Sequence, residues 1–171
     1  MPGWIVRAAA MAALLGLAMP AWAAGKSDGA YAAKLAACRT AAEKADGATD
    51  FKCDWKAIVA GAPGAALTGR YTIIEKGLAG EMTVIEGGGG PALVAIVTAT
   101  KDRNAHTCSL DVKGERNASD VLVLKSAETP ACIVRIKSSK QRNVVEVTGS
   151  EDCRDFCGMR AGFDGRYRLR K

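Results

Sequence analysis

The chain has 171 residues, 49% of them hydrophobic and 25% charged, and 24 Lys and Arg against 18 Asp and Glu give a formal charge of +6. Downstream of the N-terminal segment nothing approaches the run of about 18 apolar residues that a membrane-crossing helix needs, which excludes a helical membrane protein. The basic excess permits an acidic partner without demanding one, because Lys and Arg are also the ordinary residues of a solvated face.

The first residues read as a targeting signal. Arg7 precedes an apolar run from Ala8 to Met19, and Pro20 leads into Ala21-Trp22-Ala23, a small-x-small cleavage site. Cleavage after Ala23 gives a periplasmic or secreted product. Only Arg7 among the charged residues lies in the removed segment, so the mature charge is +5. The expected organisation is a signal peptide (1–23), a helical hairpin (24–64) and a β domain (65–171). All six cysteines (Cys38, Cys53, Cys108, Cys132, Cys153 and Cys157) lie in the mature part. An even count behind an export signal predicts three disulfides.

From Ser27 to Pro63 the pattern is helical. Ser27 or Asp28 caps an Ala-rich helix with Tyr31, Leu35 and Cys38 at helical spacing. Asp46-Gly47 ends it, and Thr49 or Asp50 starts a second helix bearing Trp55, Ile58 and Val59. Cys38 and Cys53 then sit on the two arms of a hairpin and pair. Closing that loop stabilises the fold by about 3 kcal/mol.

At Gly69 the period changes to two. Eight strands are predicted, over Gly69–Lys76, Gly80–Glu86, Pro91–Thr100, Ala105–Val112, Ser119–Ser126, Ala131–Ser138, Arg142–Gly149 and Asp164–Arg170. Short turn-rich breaks favour hairpins between neighbours, and four glycines at 87–90 read as a flexible turn, not a phosphate cradle. The run Gly165-Arg166-Tyr167 echoes Gly69-Arg70-Tyr71. With an even number of strands, the first and last run antiparallel and close an up-and-down barrel without free edges; a β-sandwich is the alternative. Cys108 and Cys132 both point inward by parity, so Cys108–Cys132 is the favoured bridge. Cys153 and Cys157 then close a tight local loop, with a cross-pairing of Cys132 to Cys153 or Cys157 left open.

Little in the chain resembles an active site. His106 is the single histidine and reads as a buried or barrel-end residue; no nucleophile elbow exists. Cys153-x3-Cys157 has no second pair at zinc spacing and is one residue longer than a redox Cys-x-x-Cys motif. The carboxylates Glu151, Asp152, Asp155 and Asp164 read as local ion pairs. No catalytic residue, metal or cofactor is expected. The strongest candidate surface is the basic tail: Arg166, Arg168 and Arg170 on one face of the last strand, with Arg154, Arg160 and Lys171 nearby. Guanidinium forks suit carboxylates and phosphates, so a protein or anionic polymer is the partner expected. Nucleic acid ranks low, because few aromatic platforms interleave the basic residues.

The tail Cys153…Cys157-Gly158…Asp164-Gly165-Arg166-Tyr167 resembles the end of small bacterial envelope proteins, some of them grouped with lysozyme inhibitors. The resemblance implies a periplasmic β-barrel that binds a protein partner through loops. No inhibitory residue is carried over: the chain has no Ser-Gly-rich inhibitory loop, and its positive charge opposes docking on a cationic lysozyme. The expectation is a non-enzymatic envelope protein that binds a macromolecular or anionic partner. A barrel carrying a small ligand comes second and a hydrolase third.

Overall fold

The computed structural model describes residues 26–44, 52–61, 67–87 and 90–170. The expected signal peptide, the expected Asp46-Gly47 and Thr49/Asp50 helix boundaries and Lys171 lie outside them. Two helices, α1 (Lys26–Lys44) and α2 (Trp55–Gly61), precede eight strands. These are β1 (Gly69–Ile73), β2 (Leu78–Ile85), β3 (Ala92–Thr100), β4 (Thr107–Arg116), β5 (Leu122–Ser126), β6 (Ile133–Ser138), β7 (Val144–Gly149) and β8 (Gly165–Leu169). They form a closed barrel in chain order, every pair antiparallel.

The seam joins β1 to β8 with Tyr71 opposite Leu169 and Ile73 opposite Tyr167. The repeated Gly-Arg-Tyr does the same work twice. Each tyrosine points inward and donates its hydroxyl to the carbonyl four residues upstream, Tyr71 to Leu67 at 2.8 Å and Tyr167 to Phe163 at 2.7 Å. The strands are antiparallel, so the two tyrosines tie down the chain at opposite mouths of the barrel. The glycines allow close approach: a Cβ on Gly69 would lie 2.4 Å from Leu169 Cδ1, and one on Gly165 would lie 2.4 Å from Glu75 Cγ. Gly165 also has φ +144°, which L side chains rarely adopt.

The strands alternate in burial as period two requires, with Val94, Ile96, Leu110, Leu122, Leu124 and Ile136 among the inward residues. One mouth, here the upper, holds the start of β1 and the β2–β3, β4–β5 and β6–β7 turns. Inside it, Arg116 donates from Nε and Nη2 to the two oxygens of Glu86 at 2.7 and 2.6 Å. Glu86 also accepts the Leu67 amide. The lower mouth is covered by residues 150–164, including a 3-10 turn at Glu151–Phe156.

Two disulfides hold that cover, Cys132–Cys153 and Cys108–Cys157. The Cys108–Cys132 bridge and the local Cys153–Cys157 loop expected from the sequence are therefore incorrect. Parity placed both strand cysteines inward, but β5 separates β4 from β6, and the 3-10 turn spans the distance. Cys153 lies within that turn and Cys157 just beyond it, so the two sulfurs reach different strands. Cys157 also forms an isolated bridge with Cys108 where β4 extends past β5.

Cys38–Cys53 is present as expected. Leu35, Cys38 and Ile58 bury against Ile85 on the outer wall of the barrel, with Leu93 packed beside them. The described part of α2 begins later than the sequence suggested. Asp54 precedes it and accepts the Ala57 amide, capping the helix. Arg39 of α1 donates to the Gly87 and Pro91 carbonyls, which fastens the two ends of the glycine-rich turn to the helix.

Candidate functional site

Of the six basic residues singled out from the sequence, the five that the structure describes do not form one surface. Along β8 and at the residue just past its end, the outward residues are Arg166, Arg168 and Arg170, alternate positions about 6.7 Å apart. Nearest the lower mouth, Arg166 stands opposite Glu146, which faces Lys137 on β6. Arg166 Nε donates to Glu75 Oε1 at 2.9 Å, and Lys137 pairs with Glu146 at 2.9 Å. Hydrogen bonds from the Arg166 side chain and amide hold the Glu75 carboxyl below its ordinary range. This row of the wall alternates in sign and is compensated. Arg154 and Arg160 are exposed on the lower cover, and Arg154 reaches Glu151 only at 4.0 Å. Lys171 lies outside the described residues.

Toward the upper mouth the balance changes. Arg168 sits between Thr72 of β1 and Val144 of β7, with no carboxylate opposite. Arg170 lies against Arg70, its amide donating to the Arg70 carbonyl at 2.8 Å. Both guanidiniums pair with Glu81 of β2, Arg70 with Oε2 at 2.8 Å and Arg170 with Oε1. The β6–β7 turn adds exposed Lys140 and Arg142, and its Asn143 carbonyl accepts the Leu169 amide, which fixes that turn to β8. Arg70 and Arg170 thus share the single carboxylate of Glu81, while Arg168, Lys140 and Arg142 at the same end of the barrel add charge without an ion pair among the described residues.

Sequence reasoning found Arg168 and Arg170 but missed Arg70, Lys140 and Arg142. The echo of Gly69-Arg70-Tyr71 in β8 was the available signal for Arg70, because matching positions on paired end strands come together. The expected local ion pairs of the tail are mostly replaced: Asp164 accepts the Gly149 amide, and the carboxylates that meet the β8 arginines are Glu75 and Glu81.

Other features offer less chemistry. His106 is half-buried in the β3–β4 turn, packed over Gly158. No group of His, Cys, Asp and Glu that could hold a metal is found among the described residues. None of the described helices is long and apolar enough to cross a membrane. Lys113, Lys125, Arg135 and Lys137 face outward around an apolar interior, the inverse of a membrane-spanning barrel. A groove of about 570 Å³ lies outside the wall between α1 and β3–β5, over Ala42, Leu93, Ala95, Val112 and Phe156. Its rim mixes Glu43, Asp111 and Glu128 with Lys113 and Lys125 and selects no charge.

No family model, curated protein or solved structure matches this chain.

Proposed function

We propose that this is an exported, non-enzymatic binding protein that holds an anionic partner on the upper-mouth cluster of Arg70, Lys140, Arg142, Arg168 and Arg170. The observation that carries the reading is the imbalance there: Arg70 and Arg170 share one carboxylate, and Arg168, Lys140 and Arg142 at the same mouth have no ion pair among the described residues. The neighbouring row has full compensation, so the excess is local and not a general consequence of net charge. Two hydrogen-bonded strands and a turn pinned to β8 hold these side chains' backbones, and a rigid donor array loses less entropy on binding. The periplasmic setting and the lysozyme-inhibitor-like tail agree with a partner that is a macromolecule.

The interior supports the carrier reading poorly. Tyr71, Met82, Ile96, Leu124 and Tyr167 are at most 4% exposed and fill the space a ligand would occupy. For the hydrolase reading, His106 is half-buried in the β3–β4 turn, and the carboxylates Glu43, Asp111 and Glu128 share a groove rim with Lys113 and Lys125.

The test is titration of the folded protein with poly-glutamate at low and high ionic strength. Each exposed charge contact contributes about 0.2–1 kcal/mol, so Arg142→Ala/Arg168→Ala/Arg170→Ala weakens binding by roughly threefold or more. Affinity falls as salt shortens the screening length from about 10 Å at 0.1 M to about 3 Å at 1 M. Binding that is unchanged by salt and by the triple variant overturns the proposal.

A further inference from the structure

The geometry points to Glu81 as a resident competitor in this site, and therefore to an acidic extended peptide as the partner; this rests on the function proposed above. Arg70 and Arg170 face each other directly across the β1–β8 seam, where like charges repel. Glu81 relieves that repulsion by giving one oxygen to each, Oε2 to Arg70 Nη2 and Oε1 to Arg170 Nη1. Each guanidinium has five N–H donors in a fork that can take a carboxylate on two parallel bonds. One carboxylate shared between two arginines leaves both forks half used. Arg70 Nε is buried and has no hydrogen-bond partner among the described residues. A buried donor without an acceptor is rare in folded proteins. The pair is thus donor-rich even with Glu81 in place.

An incoming carboxylate can give one guanidinium a full fork while Glu81 turns wholly to the other. The group these two guanidiniums already hold is a carboxylate, that of Glu81. The spacing supports a peptide. Arg168 and Arg170 are alternate residues of one strand, about 6.7 Å apart, and alternate side chains of an extended peptide lie on one face at the same spacing. Two acidic residues at i and i+2 can meet Arg168 and Arg170 together. The barrel is closed, so the peptide is held by side chains and not by strand addition at an edge.

If Glu81 competes with the partner, removing its charge strengthens binding at this site. Glu81→Gln keeps the side-chain shape and frees both forks. Glu146→Gln is the control: it removes one negative charge from the adjacent row, where Glu146 faces Lys137 and Arg166, without releasing Arg70 or Arg170. The probe is a synthetic peptide of alternating Glu and Ser, titrated by calorimetry into wild type and both variants, each first checked for native circular dichroism and melting. Expected is a three- to tenfold gain for Glu81→Gln and less than a twofold gain for Glu146→Gln. Equal gains reduce Glu81 to a share of the overall charge and overturn this inference while leaving the cluster as the binding surface. A gain seen with an anionic polysaccharide but not with the peptide overturns the choice of partner. No binding by wild type or either variant overturns the proposed function itself.

Discussion

Replacing Tyr71 or Tyr167 with Phe removes one hydroxyl and little else. Both rings are buried and keep their volume in the variant, so no cavity forms and the change is confined to the hydrogen bond. Tyr71 Oη lies 2.8 Å from the Leu67 carbonyl and Tyr167 Oη 2.7 Å from that of Phe163. A buried hydrogen bond contributes about 1 kcal/mol net, and a buried carbonyl left without its partner raises the cost to about 1–3 kcal/mol. Each single variant is therefore expected to lose about 1–2 kcal/mol, a sizeable part of the 5–15 kcal/mol typical of a whole domain. The two bonds close opposite mouths and share no partner, so the losses should add in the double variant. Equilibrium urea unfolding with the disulfides intact measures this as a lower midpoint at unchanged slope. Losses below about 0.3 kcal/mol would refute the claim that these hydroxyls secure the mouths. A double variant no worse than one single would refute their independence.

The same burial governs alkaline behaviour. Desolvation raises the hydroxyl pKa of Tyr71 and of Tyr167 far above the ordinary value of 10, and it raises that of Tyr31 as well. The sign follows: the neutral phenols stabilise the fold fully below pH 10, and that contribution is lost as pH rises toward the folded-state values. Tyrosinate absorption should therefore stay low near pH 10 and rise together with unfolding; early independent ionisation of all three tyrosines would contradict the packing. Peptide mapping under non-reducing conditions should yield Cys38–Cys53, Cys108–Cys157 and Cys132–Cys153. Removing the second or third pair should cost about 4 or about 3 kcal/mol, from loops of 49 and 21 residues.

The barrel was legible because its cause is local. Alternation from Gly69 onward, short turns and the echoed Gly-Arg-Tyr together specify neighbouring antiparallel strands and a seam at the ends. Strand limits were less legible where crowding imitates a turn. Gly114 reads as a breaker, yet it lies inside β4, where a Cβ would come within 1.9 Å of the Val123 carbonyl oxygen. Cys38–Cys53 was legible and Cys132–Cys153 was among the pairings left open, but the favoured Cys108–Cys132 failed because parity reports only that both face inward, not that β5 separates them and the 3-10 turn reaches each. The charge pattern failed for a related reason. Glu75 and Glu81 lie about ninety residues before the arginines they meet, and only barrel closure brings them together. Treating Arg166, Arg168 and Arg170 as equivalent was sound for strand geometry and unsound for electrostatics.

That inequality can be measured directly by comparing Arg168→Ala with Arg166→Ala for binding of poly-glutamate at about 0.1 M salt. Arg168 has no carboxylate partner among the described residues, whereas Arg166 is held by Glu75. The expected result is at least a threefold loss for Arg168→Ala and less than a twofold loss for Arg166→Ala. Equal losses, or a larger loss at Arg166, would contradict a binding surface confined to the upper mouth.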